Sequence, residues 1–467
     1  LDAVTSGNGN ITFAAMATGD ATSTHNFTAT VENKGNLTAV GNVDVSAVAS
    51  SDDHFLEANA IVPATYKATV TQDGNIKADG DVNIQAISNS YERLADKTAQ
   101  IDVNGKVEGA KVNIASTAVN YFVDSTMLTV KDAIVTGIGL GTGLQLDADY
   151  ASLTNKAIVN INDGAVITAT SAPTDGSKAL NISAGAGATE ALGSSSSWIR
   201  FRRAFGGKSA NVPETSVTVL KSDNTANVNI NGTLISQGKT NIKAAAESTV
   251  DTDASVGVDV DFTETSSLAM VAVNVINATN NATVTVGETA NLNNVSNVQN
   301  LNGALTINAD TKNTISGTSG TYGDTGSFLG TAVNVLNYDS AAKVNVNAPI
   351  MAPSVSINAN NIVDKNTMTT ANTMNDLKYG GFTSLFLKSD KFKSIVTGIF
   401  GDFKVEDADN LATQLKNYAS AGISVGVANE NFSANVDLGT KANITGADAS
   451  HNIGDVTIGA TSDIQDT

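Results

Sequence analysis

The stretch GDVNIQA, residues 80–86, recurs in close variants: GNVDVSA at 41–47, GALTINA at 303–309, PSVSINA at 353–359 and GDVTIGA at 454–460. Within it Val82, Ile84 and Ala86 alternate with Asn83 and Gln85. Alternation at period two puts the apolar set on one face of a strand and the amides on the other. The motif closes a longer unit. Residues 67–86, KATVTQDGNIKADGDVNIQA, read as an A-x-V strand, a turn at Asp73-Gly74, a short NIKA strand, a turn at Asp79-Gly80 and the DVNIQA strand. Residues 28–47, 225–244 and 342–359 repeat this plan, and units begin at Ala29, Ala68, Ala99, Ala157, Ala226, Ala282, Ala342 and Ala434. A further strand, starting at Ser216, Ala272, Ala332 or Ser424, precedes the unit alanine by ten residues in four copies. The spacing leaves open whether that strand joins the next through a hairpin loop or a corner.

Val, Ile and Thr favour strands, while Gly, Asn and Asp favour turns. The pattern predicts strands of about four to six residues separated by corners, with Gly and Asn supplying left-handed conformations there. One such unit cannot cover its own apolar face, so neighbours must stack on it. The expected fold is all-β, a parallel β-helix in which Val lies over Val and Ile over Ile. At roughly 20–25 residues per coil and ~4.8 Å per step, it would form a rod about 100 Å long. A row of β-sandwiches shares the turn spacing, but sandwich cores use larger side chains, and aromatics are only 5% here.

The 467 residues exceed what one compact core holds, and with only 5 Pro no linker divides them. Residues 1–467 are therefore read as one continuous solenoid segment of a longer protein. The net charge of −19 argues against nucleic acid and anionic membranes as partners. The absence of Cys excludes disulfides, zinc-thiolate sites and a Cys nucleophile. No apolar run is long enough to span a bilayer as a helix.

The G-D-V-x-I-x-A rungs and the pairs such as AVNVINATNNATV from Ala272 resemble the repeats of large bacterial filamentous surface proteins, the filamentous-haemagglutinin-like and leukotoxin-family adhesins exported by two-partner or autotransporter routes. The resemblance covers most of the chain. It implies a right-handed β-helix and an extracellular, Gram-negative-type cell-surface location. The chain departs from that pattern in having no NPNG-type secretion motif and no C-terminal barrel, as expected of a mid-shaft piece.

Binding residues tend to sit where loops leave a rigid scaffold. Residues 193–214 form a basic-aromatic insert with the only Trp, Trp198, and three of the four arginines, Arg200, Arg202 and Arg203, interleaved with Phe201 and Phe205. On an acidic rod these six residues read either as a contact site for another subunit, a glycan or an acidic protein, or as an amphipathic cover whose arginines pair with local acids. Residues 374–420 lose the period of two. Leu411 and Leu415 lie four apart after Asp407 and Asp409, so a small helical insertion is expected there. Asp251, Asp253, Asp259 and Asp261 could offer oxygens to Ca²⁺. Without a Ca²⁺ repeat motif they read as solvated acids, and no metal or other cofactor is expected.

No catalytic constellation emerges. His25, His54 and His451 are far apart in a linear stack, and no G-x-S-x-G elbow occurs. The expected function is a non-catalytic surface fibre or adhesin shaft mediating attachment or cell-cell contact. The alternatives are a self-assembling extracellular filament subunit and a polysaccharide lyase or hydrolase built on a β-helix.

Overall fold

The structure is a computed structural model that describes residues 3–7, 9–19, 25–51, 63–123, 145–195, 214–257, 270–292, 303–322, 330–373, 423–446 and 453–466. The chain there is all-β, in three parallel sheets of eight, nine and nine strands. We call them sheet I (His25–Asn33 to Ile423–Leu438), sheet II (Ala3–Ser6 to Asn443–Thr445) and sheet III (Ile11–Gly19 to Val456–Asp466). Successive strands visit the sheets in constant order. In one coil Glu214–Ile230 lies in sheet I, Thr233–Ser236 in II and Thr240–Gly257 in III; the next coil begins with Met270–Val286 beside Glu214–Ile230. This stacking is compatible with a solenoid.

Register follows from the repeat. The eight unit alanines, from Ala29 to Ala434, pair in a single column of sheet I. In sheet III, Ile84, Ile114, Ile182, Ile242, Ile307, Ile357 and Ile458 form another column. All but the last are fully buried. A shift of one residue would turn every such side chain outward, so the alternation fixes the pairing.

Three expectations change. The strand at Ala272 and the A-x-V strand at Ala282 are one continuous strand, Met270–Val286, with no loop between them. Ten residues is an even offset, so both halves keep the same face inward. Strands accordingly run to 19 residues rather than four to six. Coils are correspondingly longer, from 31 residues (Ala68 to Ala99) to 92 (Ala342 to Ala434), and nine stacked strands at ~4.8 Å give a body roughly 40 Å long, not 100 Å.

The corner glycines also act differently from expectation. A left-handed φ occurs only at Gly164 and Gly176 among the described glycines. At other corners the need is closeness: a Cβ on Gly74 would stand 1.9 Å from the Gly35 carbonyl oxygen, and one on Gly105 1.8 Å from that of Gly74.

The long strands create a cross-section with layers. The main core runs through the triangle of the three sheets. Beyond it sheets I and III continue as a two-sheet wing, and a second core mixes Leu153, Leu220, Ile276 and Leu336 of sheet I with Leu192, Val250 and Ile315 of sheet III. A layer of buried amides and hydroxyls separates the two. Asn155 Nδ2 donates to Asn224 Oδ1 at 2.7 Å, and Asn280 Nδ2 to Asn313 Oδ1 at 2.6 Å. Asn313 Nδ2 donates in turn to Ser340 Oγ at 3.1 Å and Asn361 Oδ1 at 3.0 Å. Tyr338 Oη donates to Asn313 Oδ1 at 2.8 Å. Side chains that would be costly to bury alone bond to one another across the wing and between adjacent coils.

Outside, ion pairs contribute little. Lys441 bonds Glu288 across the stack, and the hydrogen bond and then the charge of Lys441 hold the Glu288 carboxyl below its ordinary value. A depressed carboxyl favours the fold above its ordinary value, and that contribution disappears as pH falls through the folded one. Both side chains are more than half exposed, so water and salt screen the pair. Glu288→Gln is expected to leave the thermal midpoint unchanged at physiological salt, as followed by circular dichroism.

Candidate functional site

The basic-aromatic residues Trp198, Arg200, Phe201, Arg202, Arg203 and Phe205 lie outside the described residues, as do the expected helical insertion within 374–420 and Asp259 and Asp261. Their anchorage is nevertheless defined. The basic-aromatic insert leaves sheet III at Ser195 and rejoins sheet I at Glu214. Residues 374–422 likewise join Val355–Thr373 of sheet III to Ile423–Leu438 of sheet I. Every connection from sheet III to sheet I lies on the same flank of the stack, and their lengths run from three residues (91–93) to forty-nine (374–422). The turns from sheet I to sheet II never exceed four residues. Asp251 is exposed and Asp253 half-buried, and among the described residues no cluster of acids or histidines could hold a metal ion.

Two shallow grooves mark the outer faces. The first, about 460 Å³, is lined by Asp81, Asn83, Lys111, Asn113, Lys178 and Asn181. Its floor is an amide column: Asn181 Nδ2 donates to Asn113 Oδ1 at 2.7 Å and Asn241 Nδ2 to Asn181 Oδ1 at 2.9 Å. Its rim is the turn at Gly176, whose left-handed φ of 81° suits glycine. There the Ser177 hydroxyl and backbone N–H hold the Asp175 carboxyl below its ordinary value, and the Lys111 charge acts in the same direction. The second groove, about 360 Å³, lies along the outer face of sheet I between Asn277, Asn337 and Asn429 on one side and Thr279, Asp339 and Asn431 on the other. Both present stacked amides and hydroxyls, groups that hydrogen-bond neutral polar ligands. Neither gathers a nucleophile and a base.

The interior holds one concentration of charge that the sequence analysis did not single out. Among the described residues the buried charged side chains are Glu92, Arg93, Lys97 and Asp149, all within two adjacent coils. Arg93 pairs with Asp149, and Tyr66 Oη donates to Glu92 Oε1. Asn120 Nδ2 donates to the Glu92 carbonyl at 3.0 Å. Parity carries the signal that could have found Lys97: in LADKTAQIDV, Ala95, Lys97, Ala99 and Ile101 share the inward face.

Comparison with family models, with curated proteins and with solved structures finds no match. No helix among the described residues is long and apolar enough to cross a membrane.

Proposed function

We propose that the chain is a stretch of the shaft of an extracellular fibre or adhesin, a right-handed parallel β-helix displayed on a Gram-negative-type cell surface, and that it is non-catalytic. The observation that carries this reading is the in-register stacking of like residues, alanine on alanine and isoleucine on isoleucine, through all the coils. Such a body grows by adding coils and gains reach rather than an enclosed site. The right hand is the one that parallel strand crossovers adopt almost without exception. Acidic side chains outside keep a long β surface soluble and apart from its copies. The corner where sheet III passes to sheet I is the contact edge, carrying the basic-aromatic insert toward another subunit, a glycan or a protein.

Negative-stain electron microscopy of the natural protein released from cells tests this. Rods or fibres into which a rigid body roughly 40 Å long fits end-on are expected. Compact globules, or turnover of polysaccharide by the purified protein, would overturn it.

A further inference from the structure

The groove of about 460 Å³ on sheet III owes its shape to one departure from the repeat. Connections from sheet II to sheet III are short at 40–42, 79–81, 110–111 and 237–239, but the one between Val166–Ala169 and Leu180–Ser195 takes ten residues, 170–179. This excursion is tied to the coil before it: the Ser171 N–H and hydroxyl both donate to the Ala110 carbonyl, at 2.9 and 2.6 Å. The Ser177 N–H donates to Asp175 Oδ1 at 2.9 Å and closes the turn at Gly176. Gly176, Ser177 and Lys178 then form one wall of the groove. Three amines gather there. Lys111 and Lys178 line the groove, Lys178 Nζ donates to Asn181 Oδ1 at 3.4 Å, and Lys239 Nζ would stand 3.9 Å from a Cβ on Gly176. None of the three is in an ion pair among the described residues, whereas Lys34, Lys77, Lys243, Lys312 and Lys441 each are. The two nearby acids are engaged by backbone N–H groups, Asp175 by Ser177 and Asp81 by Lys111 at 3.1 Å. Three amines thus face two carboxylates on a chain whose net charge is −19.

We propose that this groove binds an acidic saccharide, a sugar chain whose rings carry carboxylates. The floor and the rim divide the recognition between them. Asn83, Asn113 and Asn181 are successive register partners, so a chain lying along the stack meets a carboxamide at every step of about 4.8 Å. A carboxamide has two N–H donors. Asn83 spends one on Asp44 and Asn181 one on Asn113, which leaves the other for a sugar hydroxyl. The lysines stand where the ring carboxylates would lie, and ammonium–carboxylate hydrogen bonds are the stronger, charge-assisted kind. A neutral sugar would use the floor alone, and an acidic peptide the rim alone. At physiological ionic strength charges beyond about 8 Å are largely screened, so the acids elsewhere on the chain do not keep the ligand away. The site lies on the outer face of sheet III, apart from the basic-aromatic insert, and it does not rest on the fibre reading.

The test is titration of the full chain with a short oligogalacturonide at physiological salt, read by saturation-transfer NMR. The expected result is binding that disappears when the carboxylates of the probe are methyl-esterified. Lys111→Gln combined with Lys178→Gln is expected to weaken it about tenfold. Lys343→Gln, exposed on the outer face of sheet I, is expected to bind as the natural chain does. No binding by the natural chain, or equal binding of the ester, would overturn the assignment. So would an unchanged affinity in the double variant, or tighter binding of polyglutamate than of the oligogalacturonide, which would give the groove to an acidic protein segment. Because the acid and its ester are compared on the natural chain, misfolding of a variant leaves the test decisive.

Discussion

Replacing Asn313 by Ala is expected to accelerate amide hydrogen exchange about a hundredfold in Leu305–Tyr322 and the strands beside it, while coils further along the stack keep their protection. Asn313 is an acceptor for Tyr338 and Asn280 and a donor to Ser340 and Asn361. All five side chains are buried, so water cannot replace what the substitution removes. Each buried polar group left short costs roughly 1–3 kcal/mol, and the truncated side chain adds a void. A combined loss of about 3 kcal/mol corresponds to roughly two factors of ten. The effect stays local because a stacked array couples each repeat mainly to its neighbours. Asn308→Ala, half-exposed on the same strand, is the control and should change exchange by less than a few-fold. Equal effects at the two positions would mean that the amide layer is not what holds the wing to the main core.

Gly105→Ala is expected to open the turn between Leu94–Val103 and Lys106–Gly109 and to lower the thermal midpoint. The added Cβ would meet the Gly74 oxygen at 1.8 Å and the Asp73 oxygen at 2.7 Å, both backbone atoms of the coil beside it. Flexible side chains can swing aside, but a stacked backbone cannot without breaking its ladder, here the bonds from Asn104 N and Gly105 N to the Gln72 carbonyl. The cost should reach the upper end of the roughly 1–3 kcal/mol seen for overpacking. Gly185→Ala is the counterpart. No atom stands within 4 Å of its added Cβ and its φ is not left-handed, so it should be neutral or stabilising by about 0.4–1 kcal/mol through the unfolded chain. Proteolysis confined to the 103–106 turn in Gly105→Ala would confirm where the stack opens. An unchanged midpoint and cleavage pattern would show that the coils can part there without loss.

These two positions also show where the sequence was legible and where it was not. The unit alanines could be placed in one column because spacing and alternation are properties of the chain that stacking preserves. The wing could not be seen in the same way. Segments such as INATNNA and LNYDSAA carry Asn, Asp and Ser, which in isolation favour turns. Their inward members, Asn280 and Ser340, are instead buried in the amide layer, and only a neighbouring coil supplies the partners that make a strand tolerable there. Gly105 was legible as a corner but not for its reason, since the constraint comes from a residue 31 positions earlier, Gly74. Lys97 was concealed by the same logic: a charge at an inward position looks like an outward one until the column above and below it is known.

The corner at which sheet III passes to sheet I has a consequence for how such a chain can change over generations. A three-residue bridge and a forty-nine-residue excursion both return to the next rung of the same ladder. The entropy of closing a flexible connection rises only with the logarithm of its length, about 0.6 kcal/mol for each doubling. New material can therefore be inserted, exchanged or lost at that edge at small cost to the frame, whereas the short turns opposite are held by neighbours in van der Waals contact. Variation is channelled to one flank, where whatever meets the outside world can be rewritten while the spine that carries it stays the same.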